Sequence, residues 1–451
     1  MTHDTIEQAE RDAWFEGAVV YGVIPRRFGE AGLRSVTDRL DDLRDLGVDA
    51  LWLSPINAAP EGDFGYAVTD YLEINPSAGT KADLRELVAE AHGCGIRILM
   101  DVVPNHTSAD HPWFLDAQAH GPASPAYDLY DRDAGGNPTH YFDWVHLPNL
   151  NYANPAVRRT MLDALAYWVR EFDIDGFRVD VAWGIKERAP NVWPIWGREL
   201  RAIKPDLLLL AEASARDPYY VANGFDAAYD WTAELGHWAW EGVWEDAAAD
   251  PSRVASRLHD ALTADGAGYP PDSLVFRFLN NNDTGTRFVD VHGPEVTRVA
   301  AMLLLTLPGI PCVYTGDEIG ASYHPYRDPA PVRWGEDRFA LRPFYKRLID
   351  LRRRLPALRS RAWTLLDSAP SDPTLAYLRH AATGDPPALV LLHFAKRPAE
   401  VPVTIPAAFR DQFGDSLIDA LTAERFAVPA SGGLTVPMPA WGARVLAPVS
   451  P

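Results

Sequence analysis

The sequence predicts an α/β fold in which a parallel (β/α)8 barrel is followed by a smaller antiparallel β domain. Short apolar runs typical of buried strands alternate with helical patterns about eight times over roughly 340 residues. Beyond Pro356 the pattern changes to short β-type runs separated by Pro, Gly and Asp. A chain of 451 residues is long enough for one large domain and a smaller companion.

Eight apolar runs are the predicted barrel strands. They span residues 17–24, 49–55, 96–103, 174–181, 206–212, 225–229, 274–279 and 310–315. Near-continuous apolar runs are typical of parallel strands that are buried on both faces. The run at 225–229 has the weakest strand pattern of the eight.

Helices are predicted between these strands from apolar residues at helical spacing. Thr80 and Asp83 have the spacing of a capping box, which predicts a helix that ends near Gly93. Asn154 followed by Pro155 is a typical helix start, and apolar residues continue at helical spacing to Phe172. Further helices are predicted at 36–47, 295–307 and 341–355.

Residues 105–151 are rich in Pro, Gly, Asp and aromatic residues but have no long periodicity. This composition favours a small subdomain inserted between the third strand and its helix. The predicted division is a barrel at 1–104 and 152–356, an inserted domain at 105–151, and a β-sandwich domain at 357–451. Strands of the last domain are predicted at 374–379, 388–394, 399–405 and 442–447.

The charge balance argues against several classes of partner. The chain has 42 Lys and Arg against 62 Asp and Glu, a net charge of −20, which disfavours nucleic acid and anionic membranes. The N-terminus lacks a basic region followed by an apolar one, so no signal peptide and a cytoplasmic location are expected. Cys94 and Cys312 are far apart in apolar surroundings, which favours reduced thiols.

Four acidic residues fall at the C-terminal ends of predicted strands, where barrels of this kind gather their functional side chains. They are Asp101, Asp180, Glu212 and Asp283. One such acid could simply cap the next turn, but four are harder to explain that way. Arg178 lies two residues before Asp180, so both side chains point to the same side of the strand.

Carboxyl groups collected in one barrel mouth raise the pKa of at least one of them, whereas Arg178 is expected to lower that of Asp180. A protonated and an ionised carboxyl group can cleave a glycosidic bond, with retention if they lie about 5 Å apart. Asp180 is therefore the predicted nucleophile and Glu212 the predicted acid. For Arg178 and Asp180 alone, a structural ion pair is the alternative interpretation.

Aromatic residues are frequent near the same predicted mouth. Sugar rings stack on such surfaces, which suits an uncharged polyhydroxyl ligand, although packing in the core is the alternative for each residue. Trp183, three residues after Asp180, is the best placed of them. The set comprises Tyr66, Trp113, Tyr141, Trp144, Trp183, Trp193, Trp196, Trp231, Trp238 and Trp240.

At these residues the chain resembles the alpha-amylase family, glycoside hydrolase family 13, over essentially its whole length. Four segments carry the resemblance: Asp101-Val-Val-Pro-Asn105-His106, Gly176-Phe-Arg178-Val-Asp180, Leu208-Leu-Leu-Ala-Glu212 and Phe278-Leu-Asn-Asn-Asn282-Asp283. The resemblance implies Asp180 as nucleophile, Glu212 as acid/base and Asp283 as a third acid that holds sugar hydroxyls. It also implies that Tyr66, His106 and Arg178 bind the transferred glycosyl unit, and that the inserted and C-terminal regions are the family's domains B and C.

Several positions depart from the family pattern. Asn282 replaces the usual His before the third acid, and an amide can still donate a hydrogen bond but cannot carry charge. Ala182-Trp183-Gly184 replaces the Lys-His pair of many endo-acting amylases, and Ala67 replaces an Asp of exo-acting glucosidases. The calcium loop common after strand one is missing, although Asn105 matches another calcium position of the family. No required metal or cofactor is therefore expected.

The leading hypothesis is a retaining hydrolase of α-1,4-glucosidic bonds in short malto-oligosaccharides or cyclodextrins, similar to the cyclomaltodextrinase, neopullulanase and alpha-glucosidase side of the family. Its only predicted partner is the oligosaccharide substrate, and the oligomeric state is left open. One alternative is a transglycosylase or isomerase such as trehalose synthase, because water and sugar acceptors compete for one intermediate. Another is a non-catalytic carbohydrate-binding or transporter-associated homologue, which the presence of all three acids disfavours.

Overall fold

The computed structural model describes residues 14–230, 240–245, 247, 250–263, 268–270, 272–328, 330–366, 373–380 and 384–449. The N-terminal residues that bear on the signal-peptide prediction lie outside these ranges, as do Trp231 and Trp238.

Eight parallel strands form a closed barrel in which each strand pairs with the next along the chain and β1 pairs with β8. The strands are β1 Val20–Val23, β2 Ala50–Leu53, β3 Arg97–Val102, β4 Gly176–Val179, β5 Leu208–Ser214, β6 Ala227–Tyr229, β7 Leu274–Phe278 and β8 Ile310–Tyr314. All eight predicted strands are confirmed. The weakest pattern corresponds to the shortest strand, β6, whose register against β5 is irregular.

Alternation of side chains explains why the barrel strands are apolar on both faces. Val20, Trp52 and Leu208 belong to a cluster that fills the barrel interior, whereas the neighbours of each along its strand pack outward against the helices. Gly22 leaves room for the inward-facing Tyr314 ring, since a Cβ there would lie 2.1 Å from that ring. The interior row of β4 continues from Gly176 to Arg178, so the same alternation that packs the core carries polar side chains into the mouth.

Helices surround the barrel, and the predicted ones are all present with differences in their bounds. The longer ones are Leu33–Thr37, Leu40–Leu46, Lys81–Gly93, Pro155–Phe172, Ala182–Arg188, Val192–Ile203, Ser252–Thr263, Phe288–Thr306 and Arg342–Arg354. The capping box of Thr80 and Asp83 is confirmed, and Asn154 accepts a hydrogen bond from the Ala156 amide at 2.9 Å.

Two predicted helices differ from the structure in their bounds. The predicted helix at 36–47 is two helices, because Arg39 leaves helical backbone angles (φ −109°, ψ 8°). The helix predicted at 295–307 begins earlier, at Phe288, and Gly293 interrupts it at φ 80° before Pro294. The helices Ala182–Arg188 and Val192–Ile203, which follow β4, and the helix Ser252–Thr263, which precedes β7, were not predicted.

Residues 105–151 contain the helix Pro112–His120, two short 3-10 turns and isolated bridges such as His106 to Asn149, but no barrel strand. Their backbone hydrogen bonds are mostly made within the segment itself, for example from the Thr139 amide to the Asp131 carbonyl at 2.9 Å. An inserted domain remains the interpretation of this segment, and its boundaries stay a prediction.

The C-terminal region contains two antiparallel sheets that share one apolar core, which includes Leu378, Leu391, Val403 and Val436. The larger sheet contains Trp363–Leu365, Thr374–Arg379, Ala388–His393, Gly442–Pro448, Ser416–Asp419 and Arg425–Ala427, and the smaller one pairs Ala399–Thr404 with Gly433–Met438. The four predicted strands are present. The other four were not predicted, and three of them are only three or four residues long, too short to give a clear alternating pattern.

Two further observations concern features that the sequence suggested. Cys94 and Cys312 are both free thiols. Among the described residues, no helix combines the length and the apolar character needed to cross a bilayer.

Candidate active site

The Arg178 guanidinium lies at the centre of the barrel mouth and contacts three carboxyl groups. Its Nη1 donates to Oδ1 of Asp101 at 3.0 Å and to Oδ1 of Asp180 at 2.7 Å, and Nη2 forms an ion pair with Oε1 of Glu212 at 2.9 Å. Its Nε donates to the Tyr229 hydroxyl at 3.0 Å. Arg178 is fully buried, so these contacts form where little water screens them.

Three adjacent strands bring these groups together. Asp101 and Arg178 are register partners in β3 and β4, and Glu212 is the fifth residue of β5. Because parallel strands end at the same rim of the barrel, side chains far apart in sequence meet around one cation. The first three acids that the sequence placed at strand ends therefore do converge.

The Glu212 carboxylate is held by the backbone as well as by Arg178. The Val181 amide donates to its Oε2 at 2.6 Å. Val181 has a left-handed conformation (φ 47°, ψ 40°), which is rare for a β-branched residue and costs roughly 1–3 kcal/mol. This strained turn directly follows Asp180 and points the amide into the mouth.

Burial raises the pKa of each carboxyl group in this cluster. The pKa of Glu212 is raised to about 8, mainly by burial, against the opposing effect of Arg178, and its hydrogen bond with Asp180 raises it further. Burial also raises the pKa values of Asp101 and Asp180, and Arg178 reduces the rise without reversing it. The expectation that Arg178 would lower the pKa of Asp180 below its usual value is therefore not met, because desolvation is the larger effect.

Asp283 belongs to a second hydrogen-bonded group on the other side of the mouth. Its Oδ1 accepts from the Tyr326 hydroxyl at 3.0 Å, and its backbone amide donates to Oδ1 of Asn281 at 2.8 Å. Burial, together with the nearby charge of Glu212, raises the pKa of Asp283 to about 6. Asp283 thus interacts with the Arg178 cluster through charge across the mouth.

Asn282 joins the two groups, and its neighbours determine how its amide is oriented. Its Nδ2 donates to the hydroxyls of Tyr66 and Tyr326, each at 2.8 Å. Tyr66 donates its own proton to Asp101 and Tyr326 donates to Asp283, so both hydroxyls must accept from Asn282. The Oδ1 of Asn282 is then buried with no hydrogen-bond partner among the described residues, which leaves an acceptor for a ligand hydroxyl.

His106 lies beside Tyr66 and is held in one tautomer. The Asn105 amide donates to its Nδ1 at 3.0 Å, and its Nε2 is 3.2 Å from the Tyr66 carbonyl, so the ring proton is on Nε2. Burial lowers the pKa of His106 to about 3, which keeps the ring neutral. The ring stacks on Tyr141, with centroids 5.2 Å apart.

The aromatic residues divide into a group near the mouth and a group in the core. Trp183 contacts Tyr141 and Phe142, with ring centroids at 6.1 and 5.9 Å, and Phe142 and Trp144 are 63% and 51% exposed. Trp113 is half-buried against His111 and Tyr71. The proposed ligand-facing role is wrong for three others, Trp193, Trp196 and Trp240, which are buried in the core.

Three residues of this arrangement were missed by sequence reasoning. The Tyr229 hydroxyl accepts a hydrogen bond from Arg178, and the Tyr326 hydroxyl donates one to Asp283. The Arg188 guanidinium donates a hydrogen bond to Asn105. Tyr229 ends a predicted strand, like the four acids, so a search for any polar group at strand ends could have found it. Tyr326 and Arg188 belong to irregular or unpredicted segments, where no local pattern marks them.

No cluster of three or more His, Cys, Asp or Glu side chains suited to a metal ion occurs in the part of the chain that the structure describes. Asn105, which matches a calcium position of the resembled family, has its Oδ1 bound by the Arg188 guanidinium. A metal ion would need the same oxygen and would lie beside a fixed positive charge, so these residues do not fit a bound calcium ion.

Chemically, the mouth can offer a protonated acid and a carboxylate to a single bond. Glu212 has the higher tendency to retain its proton, whereas Asp180 has the shortest contact with the cation. The surrounding hydroxyl of Tyr66, imidazole of His106 and amide of Asn282 are neutral, which suits an uncharged polar ligand.

Known proteins are similar to this chain both in sequence and in the arrangement of the barrel. Residues 23–334 match the family model described as the alpha amylase catalytic domain. The alpha-amylase MalA of Haloarcula japonica is 34% identical over 404 residues, which are 86% of this chain and 57% of that protein. A cyclomaltodextrinase of Geobacillus thermopakistaniensis is 33% identical over 439 residues, which are 93% of this chain and 70% of that protein.

Among solved structures, that of a protein from Thermus thermophilus superimposes with a TM-score of 0.81 at 26% identity. The match covers 97% of this chain and 100% of that one. The chain therefore shares its architecture with that protein from end to end, whereas it spans little more than half the length of the Haloarcula relative.

Proposed function

Because this chain belongs to the alpha-amylase family, we propose that it is a retaining glycosidase. It cleaves α-1,4-glucosidic bonds of short malto-oligosaccharides or cyclodextrins by double displacement. The observation that carries the proposal is the buried cluster in which Arg178 contacts both Asp180 and Glu212 while Glu212 has a pKa raised to about 8. Two carboxyl groups with different proton affinities beside one another are what this reaction requires.

In the first step, Glu212 donates its proton to the glycosidic oxygen as the Asp180 carboxylate attacks the anomeric carbon. The C–O bond to the leaving sugar breaks and a glycosyl ester with Asp180 forms. Arg178 stabilises the Asp180 carboxylate before attack, and the Val181 amide keeps Glu212 oriented toward the reacting oxygen.

In the second step, the ionised Glu212 takes a proton from water, and that water attacks the anomeric carbon. The ester bond breaks, Asp180 leaves as a carboxylate and Glu212 is again protonated. Two displacements at one carbon leave the product with the α configuration of the substrate.

The remaining polar groups would hold the transferred sugar. Asp283, fixed by Tyr326, and the Oδ1 of Asn282, which has no partner among the described residues, are acceptors for sugar hydroxyls. Tyr66 and His106 complete this side of the site. Because these groups are neutral or acceptors, they favour hydroxyls over charged substituents.

The preference for short substrates is supported by the surface around Trp183 and by a relative. Trp183 follows Asp180 by three residues and contacts the exposed Phe142, forming an aromatic edge beside the site. The Geobacillus relative of similar sequence is called a cyclomaltodextrinase. An apolar edge of this kind suits the C–H faces of glucose units.

The Trp183→Ala substitution is expected to raise KM for maltotriose and cyclodextrin by about threefold to tenfold, with kcat less affected. This corresponds to the loss of one stacking contact worth roughly 0.5–1.5 kcal/mol. Steady-state kinetics would measure the change. Trp363→Ala, in the C-terminal sheet, is the matched control and should leave KM unchanged; an equal rise in both variants would contradict the role of Trp183.

The pH dependence of kcat/KM is expected to be bell-shaped with a basic limb near pH 8. Raising the pH through the pKa of Glu212 removes the proton donor, and lowering it through the raised pKa of Asp180 protonates the nucleophile. The acidic limb should therefore lie above the ordinary range of an aspartate. Initial rates across a pH series would measure both limbs, and a basic limb below pH 6 would contradict the proton affinity assigned to Glu212.

A substrate panel tests the proposed function. Maltose, maltotriose, cyclodextrins, pullulan, isomaltose, trehalose and sucrose would be supplied in turn, with the anomeric products followed by NMR. Hydrolysis of maltotriose and cyclodextrin to α-anomers is expected. β-Anomers would overturn the retaining mechanism, trehalose or longer oligomers from maltose would indicate transfer instead of hydrolysis, and no turnover would overturn the enzymatic function.

The remaining parts of the proposal concern the surroundings of the enzyme. We propose a cytoplasmic location and a sugar substrate as the only ligand that the reaction needs. The net charge of −20 supports the view that neither nucleic acid nor an anionic membrane is a partner.

A further inference from the structure

Arg188 ends the helix that follows β4, and its guanidinium lies in a group of oxygen atoms from three segments. Its Nε donates to the Gly184 carbonyl at 3.1 Å, and Nη1 donates to the Leu150 carbonyl at 2.8 Å. Its Nη2 donates to the Asn105 carbonyl at 3.4 Å and to Asn105 Oδ1. The inserted segment is therefore bound at both of its ends to the helix beside Asp180.

All of these acceptors are neutral oxygens. Among the residues that the structure describes, no carboxylate forms a hydrogen bond with Arg188, and Asp131 and Glu187 act on it through charge alone. Backbone carbonyls and an asparagine oxygen are ligands typical of a hard cation such as Ca²⁺. We call these four atoms, the carbonyl oxygens of Gly184, Leu150 and Asn105 and the Oδ1 of Asn105, the oxygen cage. The positive charge that such a cage attracts is supplied here by the Arg188 side chain.

The cage is connected to the site through Asn105. With its Oδ1 bound to Arg188, Asn105 turns its Nδ2 toward His106 Nδ1 at 3.0 Å and Asn149 Oδ1 at 3.2 Å. His106 in turn donates from Nε2 to the Tyr66 carbonyl. If the Asn105 amide rotated, its oxygen would face His106 Nδ1, and the hydrogen bond would require the other tautomer or a charged ring.

We propose that Arg188 is a built-in substitute for a bound metal ion. It joins the inserted segment to the barrel and positions His106 through Asn105, so that neither stability nor activity depends on calcium. Arg188 is thus a positioning residue, since it touches none of the reacting atoms. The part that concerns His106 rests on the proposed function, whereas the part that concerns the oxygen cage does not.

The test compares the wild-type chain with Arg188→Met, Arg188→Lys and the matched control Lys186→Met. Lys186 lies on the same helix and forms an ion pair with Asp217, away from the cage. EDTA should change neither the melting temperature nor kcat/KM of the wild type. Arg188→Met should lower the melting temperature and reduce kcat/KM by about tenfold to a hundredfold, mostly through KM, as loss of a supporting ligand contact does.

Rescue distinguishes a cation site from general damage. Low millimolar guanidinium or Ca²⁺ should raise the melting temperature of Arg188→Met but not that of the wild type or Lys186→Met. Arg188→Lys, which keeps the charge but not the planar fork, should have intermediate KM. If Arg188→Met does not fold even with these ions, the KM of Arg188→Lys decides, because an unchanged value would overturn the positioning role.

Other outcomes would also overturn the inference. They are a loss of stability or activity of the wild type in EDTA that Ca²⁺ restores, equal behaviour of Arg188→Met and Lys186→Met, or no rescue by either ion. Melting temperatures need no substrate, so an inactive wild type would remove the proposed function and leave the test of the cage intact.

Discussion

Turnover is expected to fall by roughly 10⁴-fold to 10⁶-fold in the Asp180→Asn variant, as when other covalent nucleophiles are removed. An amide cannot attack the anomeric carbon, so no glycosyl ester can form. In the wild type, Arg178 Nη1 donates a hydrogen bond to Asp180 Oδ1 at 2.7 Å. The amide oxygen of the variant can accept the same hydrogen bond, so the surrounding contacts should remain. Initial rates with maltotriose would measure the loss of turnover, and the mass of the protein after incubation with substrate would show whether a glycosyl ester has formed.

The fold should survive this substitution. Asp180 has a raised pKa because burial disfavours its charge, so replacing it with a neutral isostere removes a desolvation penalty. The melting temperature should be unchanged or higher. The control is Asp163→Asn, which alters an exposed ion pair with Arg159 and should leave the rate unchanged. Retained turnover in the folded variant would refute the role of Asp180, whereas a lower melting temperature would contradict the expected effect on stability.

The Glu212→Gln variant is expected to lose roughly 10²-fold to 10⁴-fold in kcat on malto-oligosaccharides, the usual contribution of a general acid and base. A substrate such as α-glucosyl fluoride needs no proton donor, so its first step should remain fast while the second step slows. The glycosyl ester on Asp180 should then accumulate and be visible by mass spectrometry. Added azide should restore turnover, because it attacks without a base.

This design separates the two catalytic roles. Asp180→Asn should not accumulate the ester or respond to azide in this way, whereas Glu212→Gln should do both. The basic limb of the pH profile should also disappear in Glu212→Gln when the fluoride is the substrate. If the variant kept the basic limb near pH 8, another group would be the acid.

Stability should respond to pH in the direction that a raised pKa requires. The folded-state pKa of Glu212 is about 8, above its usual value near 4.3, so the folded protein binds the proton more tightly than the unfolded chain. Its contribution to stability is therefore complete below the unfolded pKa and is lost as the pH rises through about 8. Glu212→Gln should melt at a higher temperature than the wild type at alkaline pH, with a smaller difference in mild acid.

The barrel was predictable because its signals are local. A near-continuous apolar run indicates a strand buried on both faces. In the barrel, each of these eight strands pairs with the next one along the chain, so the order of the runs in the sequence is also their order in the sheet. Four of the eight strands in the C-terminal sheets were not predicted, because their local sequence patterns are weak. Ser416–Asp419 and Arg425–Ala427 are short and partly polar, so their pairing depends on neighbours that the local pattern does not reveal.

The candidate site was predictable to the extent that it depends on strand ends. The alternation of side chains was enough to place Arg178 and Asp180 on one side of β4, and the barrel rule then placed Glu212 beside them. The pKa of Asp180 was not predictable in direction, because the effect of Arg178 could be read from the sequence but the greater effect of burial could not.

By itself, the sequence determined the barrel, the family resemblance and the acids at the strand ends, since each depends on residues that are close in the chain or on motifs in a known order. Only the tertiary structure decided that Asn282 bonds Tyr66 across 216 residues, that Tyr326 holds Asp283, and that Arg188 fills the oxygen cage at Asn105. These contacts join loops whose relative positions are set by packing of the whole barrel. No local pattern of spacing encodes them, and they orient the groups that would hold the sugar.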